Sequence, residues 1–318
     1  LRDGGKKDTL YDVLDFTRTA MGSRLLRKWL EYPLLSKRRI NARLDAVENL
    51  VNEFFVRNNL REIMKDIYDF ERLLTRMEIG SANARDMNAL KSSLRVLPSV
   101  KKQLAKLSAP LLQKIDSKVL LYNDLVELID KAIVDNPGFS IREGGFIKDG
   151  YNSELDEYRN IARNSKRLLQ QMEEDEKEKT GIKSLKIGYN KVFGYYLEVR
   201  HSSTEKVPDY YIRKQTLANA ERYITPELKE FETKILGAQE KIVQIEYNLF
   251  TQIREALKEK ISSIQDTAHE IAILDVLVSL AQAGAEYNYI RPQLVSGGVI
   301  DIKDGRHPLV ERILERDL

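Results

Sequence analysis

Two stretches of the chain place their apolar residues at alternating steps of three and four. In the first, Leu155, Tyr158, Ala162, Ser165, Leu169 and Met172 are spaced 3, 4, 3, 4 and 3 residues apart. In the second, Leu228, Phe231, Ile235, Ala238, Ile242, Ile245 and Leu249 are spaced 3, 4, 3, 4, 3 and 4 apart. This is the a/d seam of a coiled coil. Two runs of similar length, separated by a segment of different character, predict an antiparallel helical hairpin with the seam of one arm against the other. About 22 residues at ~1.5 Å each make a stalk roughly 33 Å long.

The segment between the arms, 180 to 226, reads as β. Ile187 to Asn190 and Val192 to Arg200 alternate, with Phe193, Tyr195, Leu197 and Val199 on one face and Tyr196, Glu198 and Arg200 on the other. Asn190 and Lys191 stand where a tight turn belongs, Pro208 and Asp209 mark a loop, and Tyr211 to Ile224 supplies two further strands. Thr225 and Pro226 then open the returning helix as N-cap and first-turn proline.

Upstream the pattern is helical. Thr9 to Asp15 reads as a short strand or a helical turn, after a turn or ragged start over residues 1 to 8. A helix from about Thr19 to Glu31 buries Met21, Leu25, Leu26, Trp29 and Leu30 and stops at Pro33, and Ser36 caps the next. A helical pattern from Phe54 to about Met77 follows, then helices over Ser81–Leu107, Ala109–Ile115 and Asn123–Val134. Asn136-Pro137-Gly138 and Gly144-Gly145 interrupt the pattern where the stalk begins. After the stalk the period persists through Ile253, Leu257, Ile261, Ile264, Ile271, Leu274, Val278 and Leu280, so the returning helix re-enters the core. From Arg291, Val299-Ile300-Asp301-Ile302 reads as short strands of a following domain. The expected fold is therefore mainly α: a multi-helix core with an inserted antiparallel two-helix stalk carrying a small antiparallel β-sheet tip. Its parts are 1–145 (core, first part), 146–250 (stalk 152–179 and 226–250, tip 180–225), 251–290 (returning helix) and 291–318.

Charge changes the picture only locally. The 318 residues carry 52 basic and 49 acidic side chains, a formal net of +3, which selects no partner. From 180 to 226, however, eight basic residues face four acidic ones, a net of +4, while Glu173 to Glu178 just before is acidic. A basic tip on a long arm fits a phosphate backbone, or is simply a solvated polar surface. No cysteine is present, so disulfides and thiolate metal sites are excluded. The longest apolar runs read as far short of a membrane span.

Catalytic signatures are missing from this sequence. There is no Gly-x-x-x-x-Gly-Lys-Ser/Thr and no Gly-x-Gly-x-x-Gly. His201, His269 and His307 are far apart and lack metal-ligand spacing. A small sheet on a stalk offers no concave catalytic centre.

Several runs resemble the MutS family of DNA mismatch-repair proteins. Thr180-Gly-Ile-Lys-Ser-Leu-Lys-Ile-Gly-Tyr-Asn-Lys-Val-Phe-Gly-Tyr-Tyr-Leu-Glu-Val199 and Tyr211-Ile-Arg-Lys-Gln-Thr-Leu-Ala-Asn-Ala-Glu-Arg-Tyr-Ile-Thr-Pro-Glu-Leu-Lys-Glu230 are similar to that family's clamp. Thr19-Ala-Met-Gly-Ser-Arg-Leu-Leu-Arg-Lys-Trp-Leu-Glu-Tyr-Pro-Leu34 looks like the start of its helical core, and Gly305-Arg-His-Pro-Leu-Val-Glu311 like the entry to its ATPase domain. The resemblance implies a clamp that touches the backbone of duplex DNA, levers linking it to ATPase sites, and a homodimer around the duplex in the parent protein. It implies no cofactor or enzyme activity for this chain, with ATP and Mg bound by Walker motifs beyond residue 318, and mismatch-reading and connector domains before residue 1. It also implies a cytoplasmic, nucleoid-associated protein with no membrane partner. The positions matching the clamp that are expected at the DNA backbone are Lys186, Asn190, Lys191, Arg213, Lys214, Gln215 and Asn219. Tyr189, Phe193, Tyr195 and Tyr196 are read as sheet packing, since a duplex leaves no base free to stack. The alternatives are a coiled-coil arm that presents its tip to a protein, and a MutS-like paralogue acting in recombination; the bacterial recombination paralogues generally lack this clamp.

Overall fold

The computed structural model describes residues 5–318; the start of the N-terminal turn lies outside the described residues. Elements run in this order: α1 (Leu10–Leu14), α2 (Ala20–Glu31), α3 (Lys37–Asn52), α4 (Phe54–Met64) and α5 (Phe70–Glu78). Next come α6 (Ala84–Arg95), α7 (Leu97–Leu104), α8 (Pro110–Lys118), α9 (Asn123–Ala132) and α10 (Ser153–Thr180). Four strands follow: β1 (Lys186–Asn190), β2 (Gly194–Arg200), β3 (Ile212–Thr216) and β4 (Ala220–Ile224). The chain closes with α11 (Pro226–Lys258), α12 (Ile261–Glu286) and α13 (Pro308–Asp317). It divides into two units, one formed by residues up to Asp135 with Gln252–Leu318, the other by Asn136–Thr251.

The first unit is built around α12, which packs on α2, α3, α4, α5 and α8. Ile264, Ile271, Leu274, Leu277 and Val278 are fully buried, and the helix is apolar on every side because it is surrounded. By length and composition α12 is long and apolar enough to cross a membrane, but 67% of its apolar window is buried within the protein, as in a core helix. That corrects the expectation that no stretch approaches such apolarity: along α12 only Asp266, Glu270, Asp275 and the terminal Glu286 carry charge.

Asp275 explains how an acid survives there. It is 0% exposed. Its carboxylate accepts the backbone N–H of Arg18 at 3.0 Å and of Thr19 at 2.8 Å, and the Thr19 hydroxyl at 2.7 Å. Thr19 in turn caps α2 by accepting the Gly22 N–H at 2.9 Å. Gly22 is required by this approach, since a Cβ there would lie 2.1 Å from Asp275 Oδ2. One turn on, Ser279 accepts the Phe16 N–H and donates to the Leu14 carbonyl. Burial pushes the Asp275 carboxyl up to about 6, against the pull of these donors.

Where tertiary packing decides, the helices differ from their sequence pattern. The run from Phe54 splits into α4 and α5 at residues 65–69, where the Ser93 hydroxyl accepts the Tyr68 N–H at 2.8 Å. The run from Ser81 splits at Val96, just before Pro98, which opens α7. Thr9–Asp15 is the helical turn, capped by Thr9. The returning period is two helices, broken at residues 259–260. Residues 299–302 form no strand; the one sheet among the described residues is that of β1 to β4.

In the second unit, α10 and α11 run antiparallel. Arg159, early in α10, pairs with Glu246, late in α11, while Leu169 and Met172 near the end of α10 share an apolar cluster with Leu228 at the start of α11. Every seam position predicted from the heptads is buried or half-buried. The entry loop is fastened by one side chain. Glu246, 0% exposed, accepts N–H groups from Gly145 at 2.7 Å, Phe146 at 3.1 Å and Ile147 at 3.0 Å, and the Arg159 guanidinium at 2.7 Å. Gly144 takes φ +73, and a Cβ there would come within 2.4 Å of the same carboxylate. Phe146 meets Phe250 edge-on at 5.5 Å beside it.

Two outcomes are expected in chemical denaturation. Glu246→Leu leaves three amides and a guanidinium without their acceptor and costs about 3–5 kcal/mol. For Asp275, the folded value near 6 lies above the unfolded 3.8. Its contribution to stability is therefore greatest at acid pH and is lost as pH rises through about 6. Wild-type stability measured relative to Asp275→Asn should accordingly fall between those two values and level off above them.

Candidate nucleic-acid interface

The tip is a four-stranded antiparallel sheet in the order β1-β2-β4-β3. One face closes on the stalk: Leu197, Val199, Tyr211 and Tyr223 pack with Ile182, Leu185 and Leu228. The alternation read from the sequence holds for Tyr195, Leu197 and Val199. Phe193 instead lies in the β1–β2 turn, because Asn190 pairs with Gly194 and the connection takes three residues. Gly194 adopts φ +83 there, and Asn190 accepts the Val192 N–H at 2.7 Å.

Carboxylates on the two helices pin the sheet. Glu173 accepts the Ile187 N–H of β1 at 3.0 Å; one turn later Glu176, 4% exposed, receives the hydroxyls of Tyr210 and Tyr211, just before β3. Burial opposes ionisation of Glu173, yet the Ile187 N–H and Lys177 hold its carboxyl below the ordinary value. Burial, reinforced by Glu176, pushes the Tyr211 hydroxyl well above its own. On α11, Glu232 accepts the Tyr195 N–H at 3.0 Å while Lys229 donates to the Phe193 carbonyl at 2.9 Å. These anchors escaped the sequence reading. The run 173–178 reads in sequence only as acidic, and nothing local shows that two of its members meet groups 14 and 35 residues away.

The seven residues expected at a phosphate backbone fall into two groups. Lys186, Asn190 and Lys191 lie on β1 and its turn; Arg213, Lys214, Gln215 and Asn219 lie on β3 and the turn after it. Three strand spacings, about 14 Å, separate the two edges. Lys186, Lys191, Lys214 and Asn219 are exposed, and Lys214 sits at the irregularity between Arg213 and Gln215. Arg213 pairs with Glu221 at 3.0 Å, and Gln215 accepts from Arg222, which also binds Glu198 at 3.1 Å and lies 4.2 Å over the Tyr196 ring. His201 has a structural part here, fastening the β3–β4 turn: its ring Nε2 lies 2.9 Å from the Leu217 carbonyl, and its backbone N–H meets the Asn219 carbonyl at 3.2 Å. Of the sheet aromatics, Tyr189 meets Tyr195 edge-on, which is sheet packing. Among the described residues no cluster of acids and histidines has the makings of a metal site.

Fold and tip together define a helical scaffold with an inserted two-helix arm ending in a cation-bearing sheet. A family model of MutS domain III matches residues 1–281. The DNA mismatch repair protein MutS of Desulforamulus reducens is 51% identical over 311 residues, covering 98% of this chain and 36% of that protein. Its counterpart in Alkaliphilus oremlandii is 50% identical over 318 residues, all of this chain and 36% of that protein. That of Methanosarcina barkeri is 50% identical over 315 residues, 98% of this chain and 35% of that protein. The chain belongs to the MutS family. It spans about a third of the length of the curated relatives it matches.

The fastening of the β1–β2 turn has a direct test. A Cβ on Gly194 would lie 1.5 Å from Glu232 Oε1. Gly194→Ala and Glu232→Ala should each destabilise the tip, by about 1–3 kcal/mol. The double variant should cost less than their sum, because the second change removes the atom that the first collides with. Denaturation of the three variants measures the coupling.

Proposed function

We propose that this chain holds duplex DNA by its phosphate backbone, without reading sequence, and transmits the state of that grip along α11 to a nucleotide site elsewhere in the longer protein. The observation that carries the proposal is the charge left outward at the tip. Glu198 and Glu221 are taken up by Arg222 and Arg213, while Lys186, Lys191 and Lys214 remain exposed on the two edges. Phosphates facing such lysines would release counterions and so confer salt-dependent, sequence-independent affinity. The relatives' name, DNA mismatch repair protein, supports duplex DNA over a protein ligand for the arm. On this reading ATP and Mg are bound outside the chain, two copies encircle the duplex, and the protein works in the cytoplasm at the nucleoid. The arm's continuity supports the coupling: α11 is one helix from Pro226 to Lys258, about 50 Å at ~1.5 Å per residue.

Replacing Lys186, Lys191 and Lys214 together by Ala should weaken duplex binding equally for matched and mismatched sequences. The slope of log affinity against log salt should flatten by up to ~0.9 for each phosphate that the tip no longer neutralises. Fluorescence anisotropy over a salt series measures both. An unchanged slope would place the DNA-binding surface elsewhere.

A further inference from the structure

The α2–α3 corner of the first unit breaks two local rules at once. Lys37, Arg38 and Arg39 occupy the first turn of α3, which has no acidic residue there. Three cations beside the positive end of a helix dipole are unfavourable. Arg39 and Arg43 are also like charges four residues apart on one helix. The side chains of Lys37, Arg38 and Arg39 are exposed and form no ion pair among the described residues. The Arg43 guanidinium lies over Trp29 of α2, its carbon 3.4 Å from the ring centroid, and so extends the basic surface across to that helix.

Beside these cations stand two bare apolar side chains. Tyr32 is 72% exposed and Leu35 is 97% exposed, both on the short connection between the helices. Local choices that cost stability and gain nothing within the fold mark functional surface. The chemistry is specific: cations call for an anionic partner, and the leucine and tyrosine call for one with apolar groups to bury against them. A duplex backbone supplies phosphates but nothing to cover a leucine. An acidic polypeptide segment supplies both.

We propose that this corner docks a protein segment in which acidic residues flank one or two large apolar side chains. The carboxylates meet Arg38, Arg39 and Lys37, and the apolar side chain lies against Leu35 and Tyr32. The residues involved all belong to the first unit, and the proposal stands whether or not the tip holds DNA.

The test uses the full chain and a fluorescein-labelled peptide of alternating Asp and Glu with a central Leu-Phe pair, followed by anisotropy. Controls are the same peptide with Ser-Ser at the centre and a random-sequence duplex as competitor. Saturable binding is expected, at least about tenfold weaker for Arg38→Glu/Arg39→Glu, for Leu35→Ser, and for the Ser-Ser peptide. Thermal melting provides the second readout: the charge reversal should leave the melting temperature unchanged or raise it, because it relieves the helix dipole. Absence of binding by the Leu-Phe peptide would overturn the proposal. So would equal binding of the Ser-Ser peptide, equal binding by both variants, or competition by duplex that the charge reversal abolishes, which would make the corner a nucleic-acid surface instead.

Discussion

Irregular backbone in this protein is held by carboxylates mounted on long helices. Asp275 on α12 takes the chain entering α2, Glu246 on α11 takes the loop entering the stalk, and Glu173 and Glu232 take the first two strands of the tip. The physical constraint is shared. A loop brought against a helix must find acceptors for its N–H groups, and a helix has none to spare along its own backbone. A carboxylate answers with two oxygens and several lone pairs, so one side chain can satisfy three amides, as Glu246 does. Its own desolvation is offset only while those donors remain in place. The glycines at 22, 144 and 194 follow from the same geometry, each standing where a methyl group would collide with an anchoring acid.

Much of this was legible in the sequence because it is periodic or local. The stalk seam, the caps at Ser36 and Thr225 and the alternation of β2 from Tyr195 to Val199 depend only on neighbours within a few residues, and all three are present. The acids were not legible. Glu246 interrupts no pattern; its burial is settled by a loop 100 residues earlier that has no periodicity of its own. Strand order was equally hidden. The alternation in Tyr211 to Ile224 identifies strands, but not that β4 pairs with β2 and leaves β3 outermost. The candidate DNA-facing residues therefore looked like one basic patch in sequence, and only the topology separates them into two edges.

The division of labour within the tip follows from its acids. Arg222 is drawn into the sheet by Glu198, and Arg213, although exposed, is held by Glu221, while Lys186, Lys191 and Lys214 stay on turns and edges. Arginine's planar fork suits fixed internal pairing, whereas lysine's flexible stem suits a phosphate whose position varies from one duplex to the next. On the proposed reading, a surface organised this way would tolerate any base sequence.

An open sheet has two unpaired margins, and each is an invitation to another chain. Here the β1 margin has Ile187, whose N–H is occupied by Glu173, and the β3 margin is irregular at Arg213–Gln215 and carries Lys214. Charge, irregularity and an occupied amide are the means by which natural sheets avoid joining edge to edge. Two tips brought side by side would thus have no ladder to extend. The arm can crowd against its own copies without seeding a fibre.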